Sequence, residues 1–253
     1  MDDSRPAPPP FPTLRTVPVE QPLVWLRRGW DDLLGCPLAS LFYGACFAGG
    51  GALMVLALGG APEYIAAVTS GFLIGGPFFA IGLYEISRRR EKGQSCSLGP
   101  TLTAWRGNAG NLGLFTALLL VIFLVWARAS MVVFALFYSG EMPTLSGFLR
   151  HVVSTDHLGF LAAYFAVGGL FALIAFAISL IAIPLMLDRG HDAITASIAS
   201  VRALFMNPAA MFVWAGLIAL LGGLGLLTFL AGMLVIGPLL GHATWHAYRD
   251  LVE

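Results

Sequence analysis

Long apolar runs alternate along this chain with shorter segments in which apolar residues return every three or four positions. The first such segment, residues 20–34, places Leu23, Leu26, Trp30, Leu33 and Leu34 on one helical face and Arg27, Arg28, Asp31 and Asp32 on the other. That periodicity predicts an amphipathic helix, too polar to cross a bilayer and suited to its surface. Pro37 then opens an apolar run over 38–58, and about 20 such residues cross a hydrocarbon core. A GGAPE turn leads into a second run over 64–86, so the two predict a tight helical hairpin.

The same grammar repeats twice. Residues 98–108 predict a second surface segment from the spacing of Leu98, Leu102 and Trp105. Runs over 112–137 and 158–187 follow, joined by a loop over 138–157. Asp192 is placed to cap a third amphipathic helix, with Ile194, Ile198, Val201 and Phe205 on its apolar face. Asn207 and Pro208 end that helix and begin a run over 209–228, and a last run covers 229–247. The expectation is an all-α integral membrane protein with six transmembrane helices as three hairpins, each preceded by an amphipathic surface helix.

Each returning helix carries an internal proline: Pro77, Pro184 and Pro238. Aligning Pro77 with Pro238 also brings Gly76 onto Gly237, Tyr84 onto Trp245 and Arg88 onto Arg249. Three parallel copies predict a pseudo-threefold repeat about the membrane normal. The cations set its orientation. With the N-terminus inside, the cytoplasmic side receives Arg5, Arg15, Arg27, Arg28, Arg88, Arg89, Arg90, Lys92, Arg106, Arg189, Arg202 and Arg249, twelve of the 14 Lys and Arg residues. The positive-inside rule therefore predicts cytoplasmic N- and C-termini in a multi-pass membrane protein. Residues 1–18 hold six prolines and read as a disordered cytoplasmic tail before a membrane domain over 19–253.

Composition agrees and narrows the function. Hydrophobic residues make up 58% of the chain and charged residues 11%, with a mean hydropathy of +0.82. A soluble domain is about half apolar and about one-quarter charged, so lipid is the expected solvent. Fourteen cations balance 14 anions, leaving no basic field to draw nucleic acid. Cys36, Cys46 and Cys96 have no zinc-ligand spacing, and cytoplasmic or membrane placement predicts free thiols. No GxSxG, Walker-type loop or HExxH occurs, so a non-enzymatic role without a cofactor is expected.

A few residues could still carry chemistry. Arg128 is a cation inside an apolar run: it could pair or attract an anion, or snorkel to the headgroups. His242 and His246 stand one helical turn apart, a spacing for a metal or haem, though an interfacial belt with Trp245 and Tyr248 explains them as well. Glu85 beside Arg88 and Arg89, and Asp188 beside Arg189, suit ion pairs that hold helix ends together, or an ion relay. Gly71/Gly75 and Gly237/Gly241 favour close helix contact inside the bundle.

Four segments, GWDDLLGCPLASLFYG (29–44), GGPFFAIGLYEISRRREKG (75–93), IPLMLDRGHDAITASIASVRALFMNPAAMFVW (183–214) and GPLLGHATWHAYRDL (237–251), resemble a bacterial family of integral membrane proteins, domain of unknown function 2189. The resemblance implies a six-helix inner-membrane protein with no established activity. Some relatives carry the label of cytochrome c oxidase subunit I, a twelve-helix protein with six histidine ligands. Six runs and five histidines exclude that identity here. Two functions remain: a scaffold or accessory protein bound to the lipid bilayer, to anionic headgroups or to a membrane complex, and a small transporter or channel moving at its proline kinks.

Overall fold

The computed structural model describes residues 11–60, 79–137, 158–228 and 230–253. Its helices, in order, are α1 Gln21–Gly35, α2 Pro37–Gly60, α3 over residues 79–91, and α4 Leu98–Thr103, continued by a 3₁₀ segment Ala104–Asn108. They are followed by α5 Ala109–Phe137, α6 Leu158–Ser179, α7 Ala182–Arg189, α8 Ala193–Met206, α9 Pro208–Leu227 and α10 Met233–Leu251. Among the described residues three helical runs are long and apolar enough to cross a membrane: Leu98–Phe137, Leu158–Arg189 and Pro208–Leu227. A fourth is reached if α1 and the first part of α2, bent by 109°, count as one span. The predicted hairpin turn, Pro77, the Gly71/Gly75 pair and the 138–157 loop lie outside the described residues.

Two compact units make up the chain, Met1–Thr116 with Ala177–Glu253, and Ala117–Phe176. The second is built on Phe160, buried beneath Phe137 and Phe134 at centroid distances of 5.9 and 6.1 Å. Arg128 belongs to this unit and lies on an exposed face of α5.

In the first unit α1 lies across α10. Gly29 makes the crossing: a Cβ there would stand 2.8 Å from the Ala243 nitrogen and 2.9 Å from the Leu239 oxygen. Trp25, fully buried on the same stripe, meets Trp214 edge-on at 5.7 Å. The apolar face predicted for the membrane surface stays outward, an inversion of the arrangement in a water-soluble protein, and another stripe packs. Pro22, Trp25, Gly29, Asp32 and Leu33 are buried, while Leu23, Trp30 and Leu34 are exposed. A glycine and an acid pack here because the partner helix comes close and carries histidine.

Helix α8 repeats that inversion. Asp192 caps it as predicted, its carboxylate accepting from the Ile194 and Thr195 amides at 3.0 and 2.9 Å. These bonds, the Thr195 amide foremost, hold the carboxyl below the usual range. Yet Ala193, Ala196, Ala199, Ser200 and Ala203 form the buried stripe, and Ile194, Ile198 and Phe205 face outward. Small residues allow closer helix approach than large ones.

The prolines act differently from one another. Pro238 lies inside α10, where it leaves the Leu234 carbonyl without its helical donor. Gly44 of α2 sits against that carbonyl, and a side-chain carbon at position 44 would collide with it. Pro184 does not bend a continuous helix. The fourth run breaks after Ser179, and Pro184 falls in the first turn of α7, where a missing N–H goes unneeded. The Ile181 amide at this break donates to the Ser200 hydroxyl at 3.1 Å.

Two further expectations change. Cys36 and Cys96 are joined as a disulfide, with Cα atoms 5.8 Å apart, and Cys46 is free. The pairing arises because the α1–α2 elbow and the loop after α3 pack into one cluster with Tyr43, Leu83 and Ile86. The expected loose tail is docked over residues 13–17: Arg15 N–H donates to the Leu251 carbonyl at 2.9 Å, and Glu253 N–H to that of Thr13 at 3.0 Å. Leu14 and Val252 form an antiparallel bridge. Asn207 completes the seam, accepting from Val17 N–H at 2.7 Å and donating to the Arg15 carbonyl at 3.1 Å. Extended backbone between prolines keeps free donors and acceptors, and the chain's other end satisfies them.

Candidate functional site

Polar side chains concentrate where α1, α3, α7 and α10 end together. At the deepest point His242 is fully buried, with Ser40 Oγ 2.9 Å from Nε2 and Ser87 Oγ 2.8 Å from Nδ1. A neutral imidazole has one donor and one acceptor, and two hydroxyls satisfy both. One turn on, His246 Nε2 stands 2.8 Å from Asp32 Oδ2, while Arg90 Nε reaches Asp32 Oδ1 at 3.1 Å. Burial works to raise the Asp32 carboxyl, but hydrogen bonding from His246 and Ser87 and the charge of the histidines outweigh it and hold the group below its ordinary value of 3.8.

Nearer solvent, Glu91 accepts from the Trp245 indole at 3.1 Å and faces Arg249 at 3.3 Å. Asp188 accepts from the Tyr248 hydroxyl at 2.8 Å, with Arg88 and Arg249 both at 3.9 Å. Burial, followed by the Asp188 carboxylate, pushes the Tyr248 phenol up, so it remains a donor. Glu85 is buried with Arg88 2.7 Å from Oε2, a contact of charges without hydrogen-bond alignment, and Arg89 is 4.0 Å from Oε1. Arg189 donates to the Glu253 backbone carbonyl. At the α1 side Asp250 gathers Gln21, the Trp25 indole and Arg28 at 2.6, 2.9 and 3.0 Å.

Glu85, Arg88, Arg89, Asp188, Arg189, His242, His246 and Arg249 thus fall in one ionic and hydrogen-bonded clamp, with Pro238 one turn before it on α10. Arg128 and Pro184 do not join it. His242 and His246 spend their ring nitrogens on serine and aspartate, contacts that fix helices. Sequence reasoning passed over Asp32, Ser40, Ser87, Arg90, Glu91 and Asp250. Asp32 had a signal: it follows Trp25 and Gly29 at helical spacing, so an acid shares the stripe that packs most tightly.

A chain helical through most of its described residues, with helical runs long and apolar enough to cross a membrane and many large apolar side chains exposed along them, is an integral membrane protein. Its residues 65–188 match the family described as predicted integral membrane protein (DUF2189). That span takes in α3 to α7 with Glu85, the Arg88–Arg90 cluster and Asp188, and excludes α1 and α10. No curated protein and no solved structure matches the chain.

Proposed function

We propose that this protein is a non-enzymatic scaffold or accessory subunit of a bacterial inner membrane, crossing it six times with both termini cytoplasmic. The observation that carries the reading is the inversion of the surface helices. Small residues of α1 and α8, together with Asp32, are turned inward, while Leu23, Trp30, Leu34, Ile194 and Phe205 are presented outward. Charged groups that satisfy one another hold a shape; outward apolar stripes beside arginines suit an anionic leaflet or a membrane complex.

Affinity purification from the native membrane in a mild detergent or nanodiscs, with mass spectrometry of proteins and lipids, tests this. Enrichment of anionic lipid or a stoichiometric protein partner supports it. A protein that returns with neither, and with the bulk lipid ratio, overturns it.

A small transporter or channel is the second reading, favoured by the Pro238 break beside the buried Ser40–His242–Ser87 chain. Gly44, packed against the carbonyl freed by Pro238, weighs against that break as an opening. Ion flux in liposomes, abolished by Pro238→Ala, would favour transport.

A further inference from the structure

The densest run of cations, Arg88, Arg89, Arg90 and Lys92, is the obvious place for an anionic headgroup, yet its arginines are occupied. Arg88 faces Glu85 and Asp188, Arg89 faces Glu85 and the Ser95 carbonyl, and Arg90 is held by Asp32. A guanidinium paired with a carboxylate has little charge left to offer. Outside the apolar runs three other arginines differ; Arg128, also exposed and without an ion pair among the described residues, lies within such a run. Arg27, Arg106 and Arg202 are exposed and make no ion pair among the described residues.

Each of the three stands in an outward apolar stripe. Arg27, grouped by the sequence pattern with the opposite face, lies in the helix between Leu23 and Trp30 at i, i+4, i+7 spacing, and both neighbours are exposed. Arg202 lies between Ile198 and Phe205 on α8, again exposed, and its guanidinium is 5.8 Å from the Phe11 ring. Arg106 follows Leu102 by one turn in the second surface segment and lies 5.7 Å from the Trp105 ring centroid. One cation flanked by large apolar side chains matches the boundary of headgroup and acyl chain: the apolar groups enter the boundary and the guanidinium meets phosphate.

We infer that Arg27, Arg106 and Arg202 form the anionic-lipid site, one on each surface helix, and that the Arg88–Arg90 cluster is internal structure. This assignment rests on the lipid reading above and names the groups that would carry it. The occupant is the phosphate of an anionic phospholipid in the leaflet facing these helices. A basic residue near such a surface contributes about 1 kcal/mol, so three of them acting together give a preference on the order of a hundredfold.

The test uses full-length protein in vesicles with spin-labelled phosphatidylglycerol or phosphatidylcholine, measuring relative association at low and high salt. The wild type is expected to prefer phosphatidylglycerol, and the preference to shrink with salt. R27Q/R106Q/R202Q is expected to bring the ratio to about one, each single variant to lower it in part, and K92Q to leave it as in wild type. If the triple variant does not fold, the three single variants decide. A wild-type preference that survives these substitutions, or that K92Q removes, overturns the assignment while leaving the lipid reading intact. No preference in the wild type overturns both.

Discussion

Asp32 is the hinge of the clamp, and its charge is the easiest quantity there to perturb. Its folded carboxyl is held below the ordinary value of 3.8, so its contribution to stability is complete above that value and is lost as pH falls through the lower folded one. Asp32→Asn removes the charge that Arg90 and His246 meet, and should cost about 1–3 kcal/mol near neutral pH. Thermal unfolding in detergent should then give a Tm gap between wild type and variant that is widest above pH 5 and closes below 3.8. A gap independent of pH would mean that Asp32 acts through packing alone. His242 poses a different question, because both its partners are neutral. His242→Leu strands the Ser40 hydroxyl in the core, while Ser87 keeps Asp32, and should cost about 1–3 kcal/mol, whereas adding S40A should recover much of it, since removing both partners of a buried hydrogen bond is nearly neutral. A double variant less stable than His242→Leu alone would show that the Ser40 hydroxyl has another partner.

At the level of helices, existence and ends were legible from the chain, and facing was not. Pro37, Pro208 and the Asp192 cap mark where α2, α9 and α8 begin, because proline and capping chemistry are local. Which face of α1 packs is not local. Periodicity groups Leu23, Trp30 and Leu34 as a face for the membrane surface, and all three are exposed; it does not say which residues pack against α10, because beside lipid apolar residues are at home outside and close fit decides. Gly29 decides it for α1. Gly29→Ala puts a carbon against the backbone of Ala243 and Leu239, atoms that cannot rotate away. It should destabilise the protein by about 1–3 kcal/mol by overpacking, read as a lower Tm, while an alanine at exposed Gly107, with nothing near its Cβ, should not. The Cys36–Cys96 pairing and the docked tail escaped sequence reasoning for the same cause: each joins segments distant in sequence, 60 residues apart for the cysteines.

For the whole molecule the seam between its ends constrains topology more firmly than any hydropathy count. Thr13 and Arg15 exchange backbone hydrogen bonds with Glu253 and Leu251, and Arg15 reaches the Glu253 carboxylate at 3.5 Å. Segments bonded in this way lie on one side of a membrane, so the chain crosses it an even number of times. Three apolar runs alone would be odd, and the α1–α2 elbow, the 64–86 run and α10 are the segments that can restore parity. On the reading proposed above, the side they share is the cytoplasm, where the cation bias would put it. Tags fused at residue 1 and after Glu253 should therefore both resist protease in sealed right-side-out vesicles and both be cleaved in inverted ones. If one tag is cut in each preparation, the crossing number is odd, and the Leu14–Val252 bridge cannot form in the membrane-inserted protein.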